Sequence, residues 1–295
     1  MNRFRYDTSG TWYKGNTHIH STASDGGKKP EELWDMYARL GYDFLVHTDH
    51  WVASEFQQRG DHRSAPLLVL DGIEISGADS TGAEYHVVCL GALRGLAPAM
   101  GFAAALESAR RQGAVLILAH PHWTGNSFDD ALRHKLDGVE VYNHVCWWLN
   151  GKGDAAPYWD AMLDRFPNTL GFAADDAHVW PFHAGVDGGW IVVNAPERSV
   201  PAILSAIRRG NFYSSQGPTI HSIETDGKQL RVRTSPIRIA HLCGPAWRGG
   251  TSGLAGGALV SEVALEIPTD CRYVRLQLED EHGRRAWTNT LFFEE

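Results

Sequence analysis

Short strand-like runs alternate with longer amphipathic stretches along the first two-thirds of the chain. The runs are Thr17–Ser21, Tyr42–Thr48, Leu67–Ile75, Tyr85–Leu90, Ala114–Ala119, Gly138–Tyr142, Leu170–Ala174 and Trp190–Val193. Each has the length and apolar content of a buried strand. Helices are expected between several of them. Pro30-Glu31-Glu32-Leu33-Trp34 opens one, with proline and two acids where a helix N-terminus favours them. Phe102–Gln112 repeats apolar residues at helical spacing and stops at Gly113, Ala155–Phe166 ends before Pro167, and Ser199–Arg209 ends at Gly210. Strands alternating with helices predict βα units and a mainly parallel sheet, and seven or eight such strands could close a barrel.

The pattern changes near Gly217-Pro218. Beyond it lie β-type runs with no helical period: Leu230–Arg233, Ile237–Ile239, Glu262–Ile267, Tyr273–Leu278 and Leu291–Phe293. Turns are expected at Asp226-Gly227 and His282-Gly283. We therefore expect an α/β domain over residues 1–216 and a small all-β appendage over 217–295. The glycine-rich stretch Gly249–Gly257 lacks the order of a phosphate-binding loop and reads as a surface loop.

Composition narrows the class. With 295 residues, 43% of them hydrophobic and 21% charged, the chain can bury a large core and is not disordered. A net charge of -8 argues against a dedicated nucleic-acid partner. No apolar run is long enough for a membrane helix, and the first residues lack the apolar core of a signal peptide, so a cytoplasmic location is expected. Cys89, Cys146, Cys243 and Cys271 form no C-x-x-C pair; Cys89 and Cys146 read as reduced core residues.

The 15 histidines are the departure from ordinary usage, and their positions carry the chemistry. His18-Ile19-His20 places two imidazoles on one face of extended chain, where both can meet one ion. Ser24-Asp25-Gly26 follows. The next strand ends are Thr48-Asp49-His50, Gly72-Ile73-Glu74, Ala119-His120-Pro121-His122 and Asp175-Asp176-Ala177-His178, and His86 opens the fourth strand. A βα barrel builds its active site at this rim. His47 is expected between barrel and helices. His62, His134, His221, His241 and His282 lie away from the motifs and read as surface residues.

His18-Ile19-His20-Ser21 with Ser24-Asp25-Gly26, then Thr48-Asp49-His50, Glu74, His86, His120-Pro121 and Asp176-Ala177-His178 resemble, in order, the motifs of the PHP (polymerase and histidinol phosphatase) superfamily of metal-dependent hydrolases. Trp12–His18, Gly210-Asn211-Phe212-Tyr213 and Gly283–Asn289 are similar to the carbaryl-hydrolase branch of CehA/McbA type. The resemblance implies a distorted seven-stranded (β/α) barrel with two or three divalent ions. By position, His18, His20, Glu74 and Asp176 would hold the first. Glu74, His86 and His120 would hold the second, with Glu74 bridging, and Asp25, His50 and His178 would hold a third. Imidazole with carboxylate suits Mn, Zn or Fe.

Asp49 reads as a partner that orients a ligand. His122, His144, Asp175 and Glu140 are candidates for general acid, substrate contact or spare ligand. Trp123, Trp147 and Trp148 are expected at the substrate, and Trp51 and Trp180 also follow rim motifs. The reaction expected is attack on a phosphoester by a metal-bound hydroxide. The alternative is a carboxylic ester or carbamate on the same ions. It is favoured by the tryptophans and by the absence of an arginine after His120-Pro121, where the sequence runs His122-Trp123-Thr124. Lys28, Lys29 and Lys152 are the possible phosphate contacts. A binding module without activity is disfavoured by the full ligand set, and a nuclease by the acidic charge. The expected partner is a small ester or phosphoester. Association into a homo-oligomer is left open.

Overall fold

Two sheets face one another, and helices pack against their outer surfaces. This computed structural model describes residues 3–60, 65–183, 185–253, 257–268 and 271–293; His62 lies outside them. The larger, eleven-stranded sheet contains, in spatial order, Leu68–Leu70, Phe44–Val46, Thr11–Asn16, Trp190–Ala195, Phe212–Ser215, Arg285–Thr288 and Tyr273–Glu279. The five-stranded sheet runs Gly72–Ala78, Glu84–Leu90, Val115–Leu118, Gly138–Asn143 and Leu170–Ala174. Between the two sheets, Phe44, Val46, Leu70, Ile191 and Val193 of the first meet Val88, Leu90, Ile117 and Phe172 of the second, all essentially without solvent exposure. Helix Pro30–Arg39 covers the outside of the first sheet through Leu33, Trp34 and Tyr37. Helices Phe102–Arg111 and Ala156–Arg165 cover the second through Leu106, Trp159 and Leu163. These three, with Val200–Arg208, are the helices that the spacing predicts.

The sheets do not close into a barrel. At one end single parallel bridges, Ile19 with Ala177 and His50 with Glu74, link segments that follow the strands. Between the named strands among the described residues, parallel pairing is confined to Phe44–Val46 with its neighbours Thr11–Asn16 and Leu68–Leu70, and to Gly138–Asn143 with its neighbours Val115–Leu118 and Leu170–Ala174. The other described strand pairs are antiparallel, which corrects the expected mainly parallel sheet. The run Leu67–Ile75 is one reason. It reads as one strand but is two, in different sheets, separated at Asp71-Gly72. The Asp71 carboxylate accepts the amides of Phe56 and Gln57 (2.9 and 3.3 Å). A Cβ on Gly72 would lie 2.8 Å from the His47 carbonyl oxygen and 2.9 Å from that of Cys89. Glycine allows this close passage from one sheet to the other, and an uninterrupted apolar run gives no sign of it.

Smaller corrections have local causes. The strand expected at Thr17–Ser21 is instead Thr11–Asn16, so His18 and His20 lie just past its end. The stretch after Tyr142 is a helix, His144–Asn150, capped by the Asn143 side chain accepting the Cys146 amide at 2.9 Å. Gly249–Gly253 is a strand paired with Ile239–Cys243, because the partner's backbone supplies what the glycine side chains lack. His134 is half-buried between Tyr85 and Phe102 and beside Asp79.

After Gly217 the named elements among the described residues are all strands. Ile220–Thr225, Gln229–Ile237 and Val260–Glu266 form a separate antiparallel sheet. Arg285–Thr288 instead pairs with Phe212–Ser215, which carries the larger sheet across position 216. No helix among the described residues is long and apolar enough to cross a membrane.

Candidate metal centre

The bridge between Ile19 and Ala177 sets the first part of the site. Ile19 points into the core, and its neighbours His18 and His20 point the other way. The His18 carbonyl accepts the Asp176 amide (2.9 Å), and the His20 amide donates to the Ala177 carbonyl (3.0 Å). Asp176 sits there at φ 56°, and His120, closing the Val115–Leu118 strand, at φ 30°. Left-handed backbone in residues other than glycine costs on the order of 1–2 kcal/mol and persists where surrounding contacts impose it. Here it turns both side chains towards the two histidines.

The donor atoms stand at ligand spacing. His18 Nε2 and His20 Nε2 are 3.1 Å apart. Each is 3.3 Å from Glu74 Oε2, and they lie 3.3 and 3.1 Å from Asp176 Oδ1. Ligand atoms sharing an ion at bonds of about 2.0–2.2 Å stand roughly 3–3.5 Å apart. The other Glu74 oxygen is 2.8 Å from His86 Nδ1 and 3.5 Å from His120 Nε2. Asp25 lies 3.3 Å from His178 Nε2 and 3.6 Å from His20 Nδ1. His50 faces both groups, with Nδ1 3.0 Å from Glu74 and Nε2 3.8 Å from Asp25. The residues that could hold an ion fall into four overlapping groups, and together these comprise His18, His20, Asp25, His50, Glu74, His86, His120, Asp176 and His178. They are the nine expected ligands. Glu74 Oε2, His20 Nδ1 and His50 Nδ1 are buried without a hydrogen-bond partner. Buried polar atoms are normally satisfied, so these three atoms fit a cation that would satisfy them.

The charges fit as well. Burial opposes a proton on His18, but Asp176, Glu74 and Glu140 outweigh it and push the imidazole well above its ordinary value. Burial is likewise overcome at His50, His120 and His178, which are raised by carboxylates. Against their own burial, Glu74 and Asp176 are held well below the usual carboxylate range by the same histidines. At His20 burial prevails and the imidazole is lowered.

A second set of residues aims the first. His18 Nδ1 donates to Glu140 (2.7 Å), which leaves Nε2 facing Glu74 and Asp176. Glu140 also accepts the His120 amide (2.9 Å) and the Asn143 side-chain amide (2.8 Å). His120 Nδ1 donates to Thr124 (3.0 Å). Asp49 accepts the Ser21 amide and the Ser21 and Ser24 hydroxyls, all at 2.7 Å. It thereby holds the turn that carries His20 and Asp25.

The remaining candidates are placed unequally. Asp175 does not face the cluster. It is fully buried, accepts the Tyr37 hydroxyl and the amides of Asp187, Gly188 and Gly189 at 2.8–2.9 Å, and so ties down that loop. Asp175→Ala should therefore lower the melting temperature by several degrees, because four donors lose their acceptor at about 1–3 kcal/mol for each left unsatisfied. Metal content measured well below the transition should be unchanged. Loss of metal without loss of stability would return Asp175 to the site.

His122 is exposed and donates from Nδ1 to the Asp154 carbonyl (3.1 Å). His144 bonds Tyr142 and stacks on Trp147, with 5.6 Å between ring centroids. Trp123 stands edge-on to His120 and His86. Trp148 reaches the cluster through His183, whose ring lies 6.0 Å from that of His178. Trp51 bonds Ser76 and packs on the core. His47 is buried and accepts the Trp34 indole N–H, and burial lowers it to about 4.

Sequence reasoning missed Asn143, Thr124 and His183. Thr124, four residues after His120 on a helix starting at Pro121, had a readable spacing; the other two had no local signal.

No family model matches the chain, and no curated protein matches it. Among solved structures, a two-domain protein from Bacteroides vulgatus containing a predicted PHP-like metal-dependent phosphoesterase superposes with a TM-score of 0.57 at 18% identity, over 98% of both chains. A proposed metal-dependent phosphoesterase from Bifidobacterium adolescentis matches 66% of this chain and 96% of its own, at 14% identity and a TM-score of 0.45. This chain thus shares the fold of the Bacteroides vulgatus protein.

Proposed function

We propose that this chain is a PHP-superfamily metal-dependent hydrolase of ester bonds, with phosphoesters as its substrate class. The observation that carries the reading is Glu74. Its two oxygens face two sets of histidines, and no lysine or arginine among the described residues forms an ion pair with any of the nine clustered residues. His18, His20, Glu74 and Asp176 would hold one ion, Glu74, His86 and His120 a second, and Asp25, His50 and His178 a third. Mn, Zn or Fe suits the donors. When bound, such ions lower the pKa of water and neutralise charge on the attacked group.

The chain's own residues do the rest. Glu140 and Thr124 keep protons on His18 Nδ1 and His120 Nδ1, so that the Nε2 lone pairs face inward. Asp49 keeps Asp25 at the open side of the cluster. His122, whose Nδ1 is engaged and whose ring is exposed, supplies a proton to the leaving oxygen, with His144 as the alternative donor. In keeping with the same reading, residues 217–295, whose strands in part continue the larger sheet, supply no ligand among the described residues. The four free cysteines suit a cytoplasmic location.

A second reading, hydrolysis of a carboxylic ester or carbamate as in the CehA/McbA branch, is favoured by the missing guanidinium. Phosphate sites commonly grip their substrate with arginine, and Lys28 is paired with Glu32 instead. The test is elemental analysis of the purified protein, followed by turnover of para-nitrophenyl phosphate, bis-phosphate, acetate and carbamate with and without chelator. Chelator-sensitive phosphate turnover is the expected result. Turnover of acetate or carbamate alone selects the second reading, and absence of bound metal removes both.

A further inference from the structure

Three rings form a continuous surface next to the ligand His178. Trp180 lies 5.5 Å from the His178 ring and 5.7 Å from His183, and Trp148 lies 4.9 Å from His183, each pair meeting edge-on. Trp148 is 41% exposed and Trp180 48%, whereas Trp34, Trp159 and Trp287 are at most 3% exposed. Folding a soluble domain buries indoles, each worth a few kcal/mol of apolar surface. Two left open beside a cluster of donor atoms require another account.

Their positions are fixed. The Trp180 indole N–H donates to the Asp25 carbonyl (2.9 Å), and the Gly27 amide donates to the His178 carbonyl (2.7 Å). A Cβ on Gly185 would sit 2.1 Å from a Val145 methyl, so the turn bearing Trp180 and His183 packs directly on the helix bearing Trp148. His183 Nδ1 is buried without a hydrogen-bond partner. Four of the clustered side chains are open to solvent, Asp25 at 47%, His50 at 26%, His86 at 24% and His178 at 13%, against 0% for His18 and His20, and of these four Asp25 and His178 touch this surface.

We infer that Trp148, His183 and Trp180 form a subsite for a flat aromatic group of the substrate, so that the phosphoester hydrolysed here carries an aryl substituent. This rests on the phosphoesterase reading above. A group of exposed aromatic rings held in place rewards contact with another aromatic ring over other apolar contact. Trp247, 88% exposed but in the loop after Ile239–Cys243, joins no such group of rings and serves as the control.

The experiment is calorimetric binding of methylphosphonate, cyclohexylmethylphosphonate and benzylphosphonate to the metal-loaded protein, with metal content measured for every variant. Benzylphosphonate should bind about tenfold tighter than methylphosphonate and several-fold tighter than the cyclohexyl compound. Trp148→Ala should abolish that preference while methylphosphonate affinity and metal content stay unchanged. Trp180→Phe should reduce it, and Trp247→Ala should leave it intact. Equal binding of methyl and benzyl compounds overturns the subsite and leaves the phosphoesterase reading standing. Equal binding of cyclohexyl and benzyl compounds also overturns it, in favour of a merely apolar pocket. Failure of all three to bind overturns the phosphoesterase reading, and the subsite with it.

Discussion

Glu74→Gln should remove most of the bound metal and reduce hydrolysis by at least about 100-fold, beyond the roughly 10–100-fold typical of losing a partner outside the ligand shell. Glutamine preserves the volume of this fully buried side chain, so the effect is one of charge and not of packing. One Glu74 oxygen faces His18 and His20, the other faces His86 and His120, and His50 lies 3.0 Å away. Removing this single carboxylate weakens two groups of donors together. Asp176→Asn touches His18, His20 and His120 but not His86, and should spare more of the second group. Elemental analysis of both variants checks this. Unchanged metal in Glu74→Gln would refute the sharing of its carboxylate.

Stripping the metal with a chelator should lower the melting temperature by about 10 °C at pH 7.5. Two ions at about 100 times their dissociation constants contribute about 5 kcal/mol, and a domain of this size shifts roughly 2–4 °C per kcal/mol. The loss should grow with pH. In the metal-free protein His18, His50, His120 and His178 are raised above their unfolded values. Stability from a raised imidazole is fully present below the unfolded pKa near 6.5 and is lost as pH rises through the folded value. His20 and His47, both lowered by burial, act in the opposite sense below about pH 6.5. Between pH 6.5 and 9 the metal-free protein should therefore become less stable. The metal-bound protein, whose imidazoles bind as neutral ligands, should not. Thermal melts across that range, with and without chelator, check the sign. Parallel curves for the two forms would show that the clustered histidines do not bind the ion.

Aromatic and apolar contacts explain why the site is held open. Phe172, Phe44 and Val193 fill the space between the two sheets whose ends carry the donors, so these stand on a packed floor. Glu140 belongs to that floor, since it is buried and bonded to His18, His120 and Asn143. A ligand shell aimed by buried partners changes little when an ion arrives, which reduces the cost of organising it.

The sequence by itself determined which nine candidate residues cluster, and the four main helices. His18 and His20 are two apart, and extended chain puts alternate residues on one side whatever the tertiary fold. Helix limits at Pro30, Gly113, Pro167 and Gly210 follow from backbone chemistry that acts within a turn. Only the tertiary structure decided the rest. The break at Asp71-Gly72 depends on carbonyls of His47 and Cys89 that come from other strands. Glu140 reaches His18 across 122 residues, and Asp175 is drawn from the rim into the core by Tyr37, 138 residues away. Trp148 and Trp180 both come to His183 from separate segments, which pack closely where a Cβ on Gly185 would meet Val145. Local periodicity reports the face a residue occupies, whereas the partner it meets there is set by chain segments far away in sequence, through packing and hydrogen bonds that form only when the sheets come together.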